Sequence, residues 1–197
     1  LYGEPRFADL LRSIAATGIE RIRFATSHPK DLNDDVIKAF GELDNLMPAL
    51  HLPVQSGSNS ILKAMHRRYT REHYLDTIKK LREVRPDIAL STDIIVGFPG
   101  ETEEDFQQTY DLVKEVGYTQ VFTFIYSKRE GTPAARIEDD TPKEVIQERF
   151  ERLVNLVQDR ALEVNQAEVG KVVPVLVEGA SKRDETVLMG RSPKNLT

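Results

Sequence analysis

Apolar residues Phe7, Leu10, Leu11 and Ile14 recur at three- and four-residue spacing between Pro5 and Ala16, and Gly18 follows as a stop signal, so the chain opens with a helix. The period then shortens. Arg21 to Thr26 alternates charged and apolar positions as a strand does, Ser27-His28-Pro29 reads as a loop, and a helix is expected from about Asp31 to Leu43. The same unit returns as a strand over Ala49 to Val54, a loop at Gln55 to Ser58, a short helix from Asn59 to Met65 and a longer one from Thr70 to Val84. It returns again as a strand over Ile88 to Val96, the loop Gly97-Phe98-Pro99-Gly100 and a helix from Glu101 to Val116. A fourth strand, Gln120 to Tyr126, leads into the loop Ser127 to Pro133.

Strands alternating with helical stretches predict right-handed crossovers and a parallel sheet. The near-continuous apolar run Ile94-Ile95-Val96 fits a strand covered on both faces. In such architectures ligands sit beyond the carboxyl ends of the strands, so the four loops are expected to share one functional rim. Thr141-Pro142-Lys143-Glu144 has the form of a capping box with proline at the first helical position, and it opens a long amphipathic helix carrying Ile146, Phe150, Leu153, Val157, Ala161 and Val164. After Gly170 the pattern changes again. Lys171 to Glu178 and Thr186 to Met189 read as two antiparallel strands around a polar turn, which divides the chain into residues 1–168 and a small β module, 169–197. Two strands are marginal alone, so this module is expected to be the start of a larger β barrel.

With 197 residues, 40% of them hydrophobic, the chain supports one sizeable core and a small appendage. A net charge of −5 offers no overall basic field for nucleic acid, so any such contact must be local. The amino end lacks signal-peptide regions and no apolar run approaches the roughly 20 residues that span a bilayer, so a cytoplasmic protein without membrane partners is expected. The chain contains no cysteine, which removes thiolate nucleophiles, disulfides and cysteine metal sites from its own chemistry.

On the rim, each loop has a structural and a functional reading. His28 at a strand end is ordinarily a hydrogen-bonded structural residue, and its place on the rim raises its interest. Gln55, Ser56 and Ser58 offer an amide and two hydroxyls suited to ribose hydroxyls or a carboxylate, while Ser58 also suits a helix N-cap. Gly97 to Gly100 has the proline–glycine order of a type II turn, with Thr102 and Asp105 spaced as a capping box. Gly97 also permits close approach of a ligand, and Ile94 to Val96 could wall a purine. The basic clusters at Arg67, Arg68 and Arg71, and at Lys79, Lys80, Arg82 and Arg85, could meet phosphates, and read first as solvated helix faces.

Taken together, ATSHPKDL, HLPVQSGSNSILKAMHRRYTREHY, STDIIVGFPGETEEDF and FTFIYSKREGTPAA resemble the methylthiotransferase branch of the radical S-adenosylmethionine enzymes over nearly the whole chain. The TSHP and HLPVQSGSN wording is more similar to members that methylthiolate isopentenyl-adenosine beside the tRNA anticodon than to those that modify a ribosomal-protein aspartate, the alternative substrate. A cofactor-free RNA- or protein-binding piece is the non-catalytic alternative. The resemblance implies strands three to six of a TIM-like (β/α)6 half barrel, followed by the opening of the TRAM module that contacts tRNA in this family. It also implies S-adenosylmethionine, an electron donor and two [4Fe-4S] clusters, whose cysteines lie outside this chain. Residues 1–197 are therefore expected to be an inactive piece of a longer enzyme. Gln55, Ser56 and Ser58 would lie near the ribose and methionine parts of the cofactor, and Ile95, Val96 and Gly97 on its adenine side. Thr26, Ser27 and His28 would line the same rim, with Tyr126 and Lys128 as further candidates. With the first two strands absent, the strand at Arg21 to Thr26 would present an open edge, for which self-association is expected.

Overall fold

The computed structural model describes residues 6–25 and 28–197. Its elements follow the chain as α1 (Phe7–Ala15), α2 (Asp34–Glu42), β1 (Ala49–His51), α3 (Asn59–Ala64), α4 (Arg71–Val84), β2 (Ala89–Val96), α5 (Glu103–Val116), β3 (Gln120–Ile125), α6 (Lys143–Gln166), β4 (Leu176–Ala180) and β5 (Leu188–Arg191). A short 3-10 helix, Pro133–Arg136, precedes α6. β1, β2 and β3 form one parallel sheet in that order, and β4 pairs with β5 antiparallel. The α/β architecture and the separate antiparallel module expected from the sequence are both present. No helix among the described residues is long and apolar enough to cross a membrane.

One expected strand is absent. Residues 21–25 make only a single parallel bridge, Ile22 to Leu46, closed by Ile22 N–H to the Asn45 carbonyl and Met47 N–H to the Ile22 carbonyl. Ile22 and Leu46 are both buried, so apolar burial is met at one position, and alternation alone did not extend the ladder to Arg21 and Arg23. Those two arginines turn instead to the carboxyl-terminal segment: Arg21 donates to the Arg191 carbonyl (3.1 Å) and Arg23 to the Asn195 side chain. The open edge anticipated along Arg21 to Thr26 is thereby reduced, among the described residues, to one bridge.

The expected strand over Ala49 to Val54 is regular only to His51, because Pro53 has no N–H to contribute. Leu52 N–H still reaches the Ser91 carbonyl, and the pairing resumes at Gln55, which bridges Ile94. On β2, Leu90, Thr92, Ile94 and Val96 are buried. They share a core with Phe40, Leu46, Leu50, Tyr74, Leu81, Phe106 and Leu112. Two buried tyrosines lock α4 and the entry to β3 beneath the sheet: Tyr118 donates to Tyr74, 2.8 Å, and Tyr74 to the Leu52 carbonyl, 2.9 Å.

Local signals largely settle the loops. Pro99 and Gly100 occupy the centre of a turn closed by Glu101 N–H to the Phe98 carbonyl, with Gly100 at φ +84°, the geometry a type II turn requires. Thr102 and Asp105 form the expected reciprocal capping box of α5, and Ser58 caps α3. The box expected at Thr141 does not form. α6 starts at Lys143 with Pro142 at the N-cap position and no side-chain cap, and Asp139 accepts both the Thr141 N–H (3.2 Å) and its hydroxyl (2.7 Å), so a nearer carboxylate satisfies the N–H that Glu144 would have bonded. The basic residues read as solvated faces are partly structural ties: Arg71 donates to the Gln108 carbonyl, Arg82 to that of Val116 and Arg85 to that of Phe40.

α6 is held to the sheet by a buried pair. Arg149 donates to the Glu101 carbonyl at 2.9 Å and lies 3.6 Å from its carboxylate, which also accepts the Gly97 N–H at 2.8 Å. Burial pushes the Glu101 carboxyl up to about 7 from an ordinary 4.5, against the opposing pull of the Gly97 N–H and Arg149. A carboxyl raised on folding binds its proton more tightly in the native state, so its contribution is full below the unfolded value and is lost as pH rises through the folded one. Between about pH 4.5 and 7 the wild type should lose stability relative to Glu101→Gln, approaching about 1.4 kcal/mol per pH unit, in denaturant titrations of the two proteins. Parallel profiles would refute this. In a second test, Gly57→Ala should cost more than about 2 kcal/mol, because its Cβ would stand 2.5 Å from the Gln108 carbonyl oxygen and 2.6 Å from Thr109 Cα, both backbone atoms. Gly100→Ala, at φ +84° with open space around the new methyl, should cost about 1 kcal/mol, and equal midpoints for the two variants would overturn the ranking.

Candidate functional site

At the carboxyl ends of β1, β2 and β3 the chain forms a cleft of about 540 Å³, lined by Gln55, Arg67, Asp93, Ile95, Tyr126 and Arg129 among others. That volume suits a small-molecule ligand. Gln55 is placed there by an unusual backbone. Its φ is +72°, a conformation that costs a non-glycine residue of order 1–3 kcal/mol, and it is held by Gln55 N–H to the Asp93 carbonyl and Ile95 N–H to the Gln55 carbonyl, 2.9 and 3.0 Å. Strain fixed by the ladder on both sides aims one amide side chain at the strand ends.

Arg67 reaches the cleft through the end of α3. Arg67 N–H bonds the Leu62 carbonyl (2.8 Å) and His66 N–H that of Lys63 (3.0 Å), with His66 at φ +56°; this is a Schellman closure with histidine where glycine is usual. The Arg67 guanidinium lies 3.5 Å from His28 Nε2, and the His28 ring stands edge-on to Tyr69 at 5.4 Å. Partial burial, then the Arg67 charge, lowers the His28 pKa, so the ring is neutral at neutral pH. Tyr126 packs edge-on against Phe98, 5.2 Å between centroids. Its hydroxyl is buried and has no hydrogen-bond partner among the described residues. Buried hydroxyls ordinarily have one, which makes this atom a place for a ligand's polar group.

The sequence-derived candidates therefore divide. Gln55, Ile95 and Tyr126 line the cleft together, and His28 stands behind Arg67. Ser56 and Ser58 are fully buried within their loop: the Ser56 hydroxyl meets Thr109 at 3.2 Å, and that of Ser58 caps α3 and donates to Asp105. Burial works against the Asp105 charge, but donations from Ser58, Ser60 and Thr102 outweigh it and lower its pKa. Val96 belongs to the core. Gly97, at φ +70°, faces α6, and a Cβ there would sit 2.6 Å from Ile146 Cγ2. Lys128 is exposed on the loop after β3, outside the cleft lining, and Thr26 and Ser27 lie outside the described residues.

Sequence reasoning missed Arg67 as a cleft residue, along with Asp93 and Arg129. A signal existed for Asp93: in Ser91-Thr92-Asp93-Ile94-Ile95 the polar residue keeps step with Ser91 and Ile95, opposite the buried Thr92 and Ile94. Arg67 and Arg129 gave no comparable signal, since only the tertiary fold brings them to one opening.

A family model described as the radical SAM superfamily matches residues 2–113. The tRNA-2-methylthio-N(6)-dimethylallyladenosine synthase of Clostridium botulinum (strain Loch Maree / Type A3) is 57% identical over 192 residues, 96% of this chain and 43% of the relative. That of Carboxydothermus hydrogenoformans is 54% identical over 196 residues, 99% of this chain and 44% of the relative. The chain thus spans less than half the length of these curated relatives. Among solved structures, coproporphyrinogen III oxidase of Escherichia coli, described as a radical SAM enzyme, superposes with a TM-score of 0.60 at 16% identity, covering 78% of this chain and 37% of that one. With sequence motif, family model and backbone in agreement, the chain belongs to the radical SAM superfamily.

Proposed function

We propose that this chain is the part of a tRNA methylthiotransferase that binds S-adenosylmethionine and orients it toward N6-dimethylallyladenosine in tRNA. The observation that carries the reading is the cleft at the strand ends: an amide under backbone strain, two guanidinium groups, a carboxylate and an unpartnered tyrosine hydroxyl converge there. Identity of 54–57% to synthases of that name supports the substrate.

The donor set fits the cofactor. Arg67 and Arg129 suit its carboxylate and Asp93 its amino group. Gln55 and the Tyr126 hydroxyl suit ribose or base polar atoms, and Ile95 and Phe124 supply apolar wall. When bound, S-adenosylmethionine supplies the radical chemistry characteristic of the superfamily. The chain's own contribution is orientation: the bridge to Ile94 fixes Gln55 beside β2, β2 carries Asp93, and the closure at the end of α3 fixes Arg67 in the same cleft. Iron–sulfur clusters are a different matter, because a chain without cysteine has no thiolates for them, and their ligands belong to other parts of the longer protein. tRNA, an electron donor and a cytoplasmic setting complete this reading, with residues 169–197 as an RNA-contacting module.

Calorimetric titration of S-adenosylmethionine into this chain tests the cofactor site. Gln55→Ala should weaken binding about tenfold, the loss of one or two good hydrogen bonds, with an unchanged thermal midpoint. Tyr126→Phe should weaken it by a smaller factor. Affinity indifferent to both substitutions would remove the cleft from the cofactor's path.

A further inference from the structure

The contact of residues 169–197 with the rest of the chain is concentrated at one end. Along β4 and β5, Val175, Leu176, Val177, Val187 and Leu188 are exposed, whereas every residue from Arg191 to Leu196 is half-buried. This half-buried segment is a turn closed on itself. Pro193 holds its first central position, Asn195 N–H and Leu196 N–H bond the Ser192 carbonyl and hydroxyl at 2.9 and 3.1 Å, and Ser192 N–H returns to the Leu196 carbonyl at 2.9 Å. Asn195 takes φ +64°, a left-handed conformation that asparagine tolerates better than most residues. The tip is therefore shaped by its own bonds.

Two arginines from residues 21–25 receive it. Arg21 donates to the Arg191 carbonyl at 3.1 Å, and Arg23 to the Asn195 side-chain oxygen, which Arg191 of the same tip also reaches at 3.2 Å. Lys194 and Leu196 close a cavity of about 50 Å³ against Ala49, Ala89 and Gln120, the first residues of β1, β2 and β3. A further tie crosses the linker: Lys194 and Lys171 lie 3.6 and 3.3 Å from one carboxylate oxygen of Glu168, just past the end of α6. Residues 167–175 are irregular, and Gly170, at φ +82°, has open space around it.

We infer that Ser192 to Leu196 is a releasable latch, with Arg21 and Arg23 as its receptor, that holds the β module at the amino end of the sheet. Closed, it keeps the module from the cleft by the length of β2, eight residues or roughly 26 Å. Open, the module turns on residues 167–175. What holds the seam is modest: two guanidinium hydrogen bonds, a partly exposed ion pair and the half-buried Leu196. Elements tied by few buried apolar contacts open at low free energy. None of these residues lines the strand-end cleft, so the latch stands apart from the cofactor reading.

Because the chain lacks cysteine, two introduced thiols are its sole labelling sites. Spin labels on Glu83→Cys in α4 and Glu185→Cys between β4 and β5, both exposed positions, report the distance between sheet domain and module by double electron–electron resonance. This labelled background should give one narrow distance. Arg21→Ala and Arg23→Ala should each lower the ratio of docked to free module about tenfold, the loss of one charge-assisted hydrogen bond, so the two together should give a broad distribution. Asn195→Ala, which alters the latch and leaves residues 6–166 untouched, should lower the ratio as either arginine variant does, and it decides the matter if those variants fail to fold. Lys182→Ala, exposed and away from the seam, should leave the peak in place. A broad distribution in the labelled background, or a docked fraction unchanged in both the arginine pair and Asn195→Ala, overturns the latch. A narrow distance whose weight grows with protein concentration also overturns it, since the module would then be seated on a second copy.

Discussion

Because β2 is hydrogen-bonded in parallel to β1 on one side and β3 on the other, every residue from Ala89 to Val96 has its side fixed. A one-residue slip would turn Asp93 into the core and Ile94 out to the cleft, exchanging a carboxylate for buried hydrocarbon. The resulting penalty, a buried charge without a partner, exceeds anything local propensity offers in return. Register is thus set by burial of Leu90, Thr92, Ile94 and Val96, and the polar surface is its by-product. The cleft inherits its geometry from a packing decision made on the other face of the sheet.

Two of the cleft's residues are delivered by backbone conformations that oppose intrinsic preference. Gln55 and His66 both adopt positive φ, the first within the sheet ladder and the second at the end of α3. Neither is glycine, so neither loop has the freedom glycine would confer. The surroundings over-determine both: Gln55 by its two ladder bonds, His66 by the paired closure onto Leu62 and Lys63. Stiffness at these two points holds Gln55 and Arg67 in the lining of one cleft without a ligand to keep them there, which is the preorganised state that lowers the entropic cost of binding.

How far the sequence could be read depended on the range of the interaction. The type II turn at Pro99-Gly100 and the Thr102–Asp105 box were legible because every participant lies within four residues. The Thr141 box failed at the same range, since Asp139 takes the Thr141 N–H that Glu144 would have bonded and the motif contains no record of its rival. The strand at Arg21 to Thr26 had the right alternation, yet Arg21 and Arg23 found partners at Arg191 and Asn195, far along the chain. Gln55, Ile95 and Tyr126 were visible as strand ends. Asp93 showed only in the alternation of β2, and Arg67 and Arg129 join them only through the tertiary fold, a meeting of which the sequence carries no trace.

The loop from Gln55 to Ser58 and the turn at Gly97 have a consequence for how genetic data on such proteins are interpreted. Ser56, Gly57, Ser58 and Gly97 are each committed to Thr109, the α5 backbone, Asp105 or Ile146. Selection for a folded protein would hold all four constant even if no cofactor ever touched them. Close packing between two loops and two helices would by itself hold this motif constant, and a loss-of-function allele at one of these positions has to be tested for folding before it is assigned to a missing ligand contact.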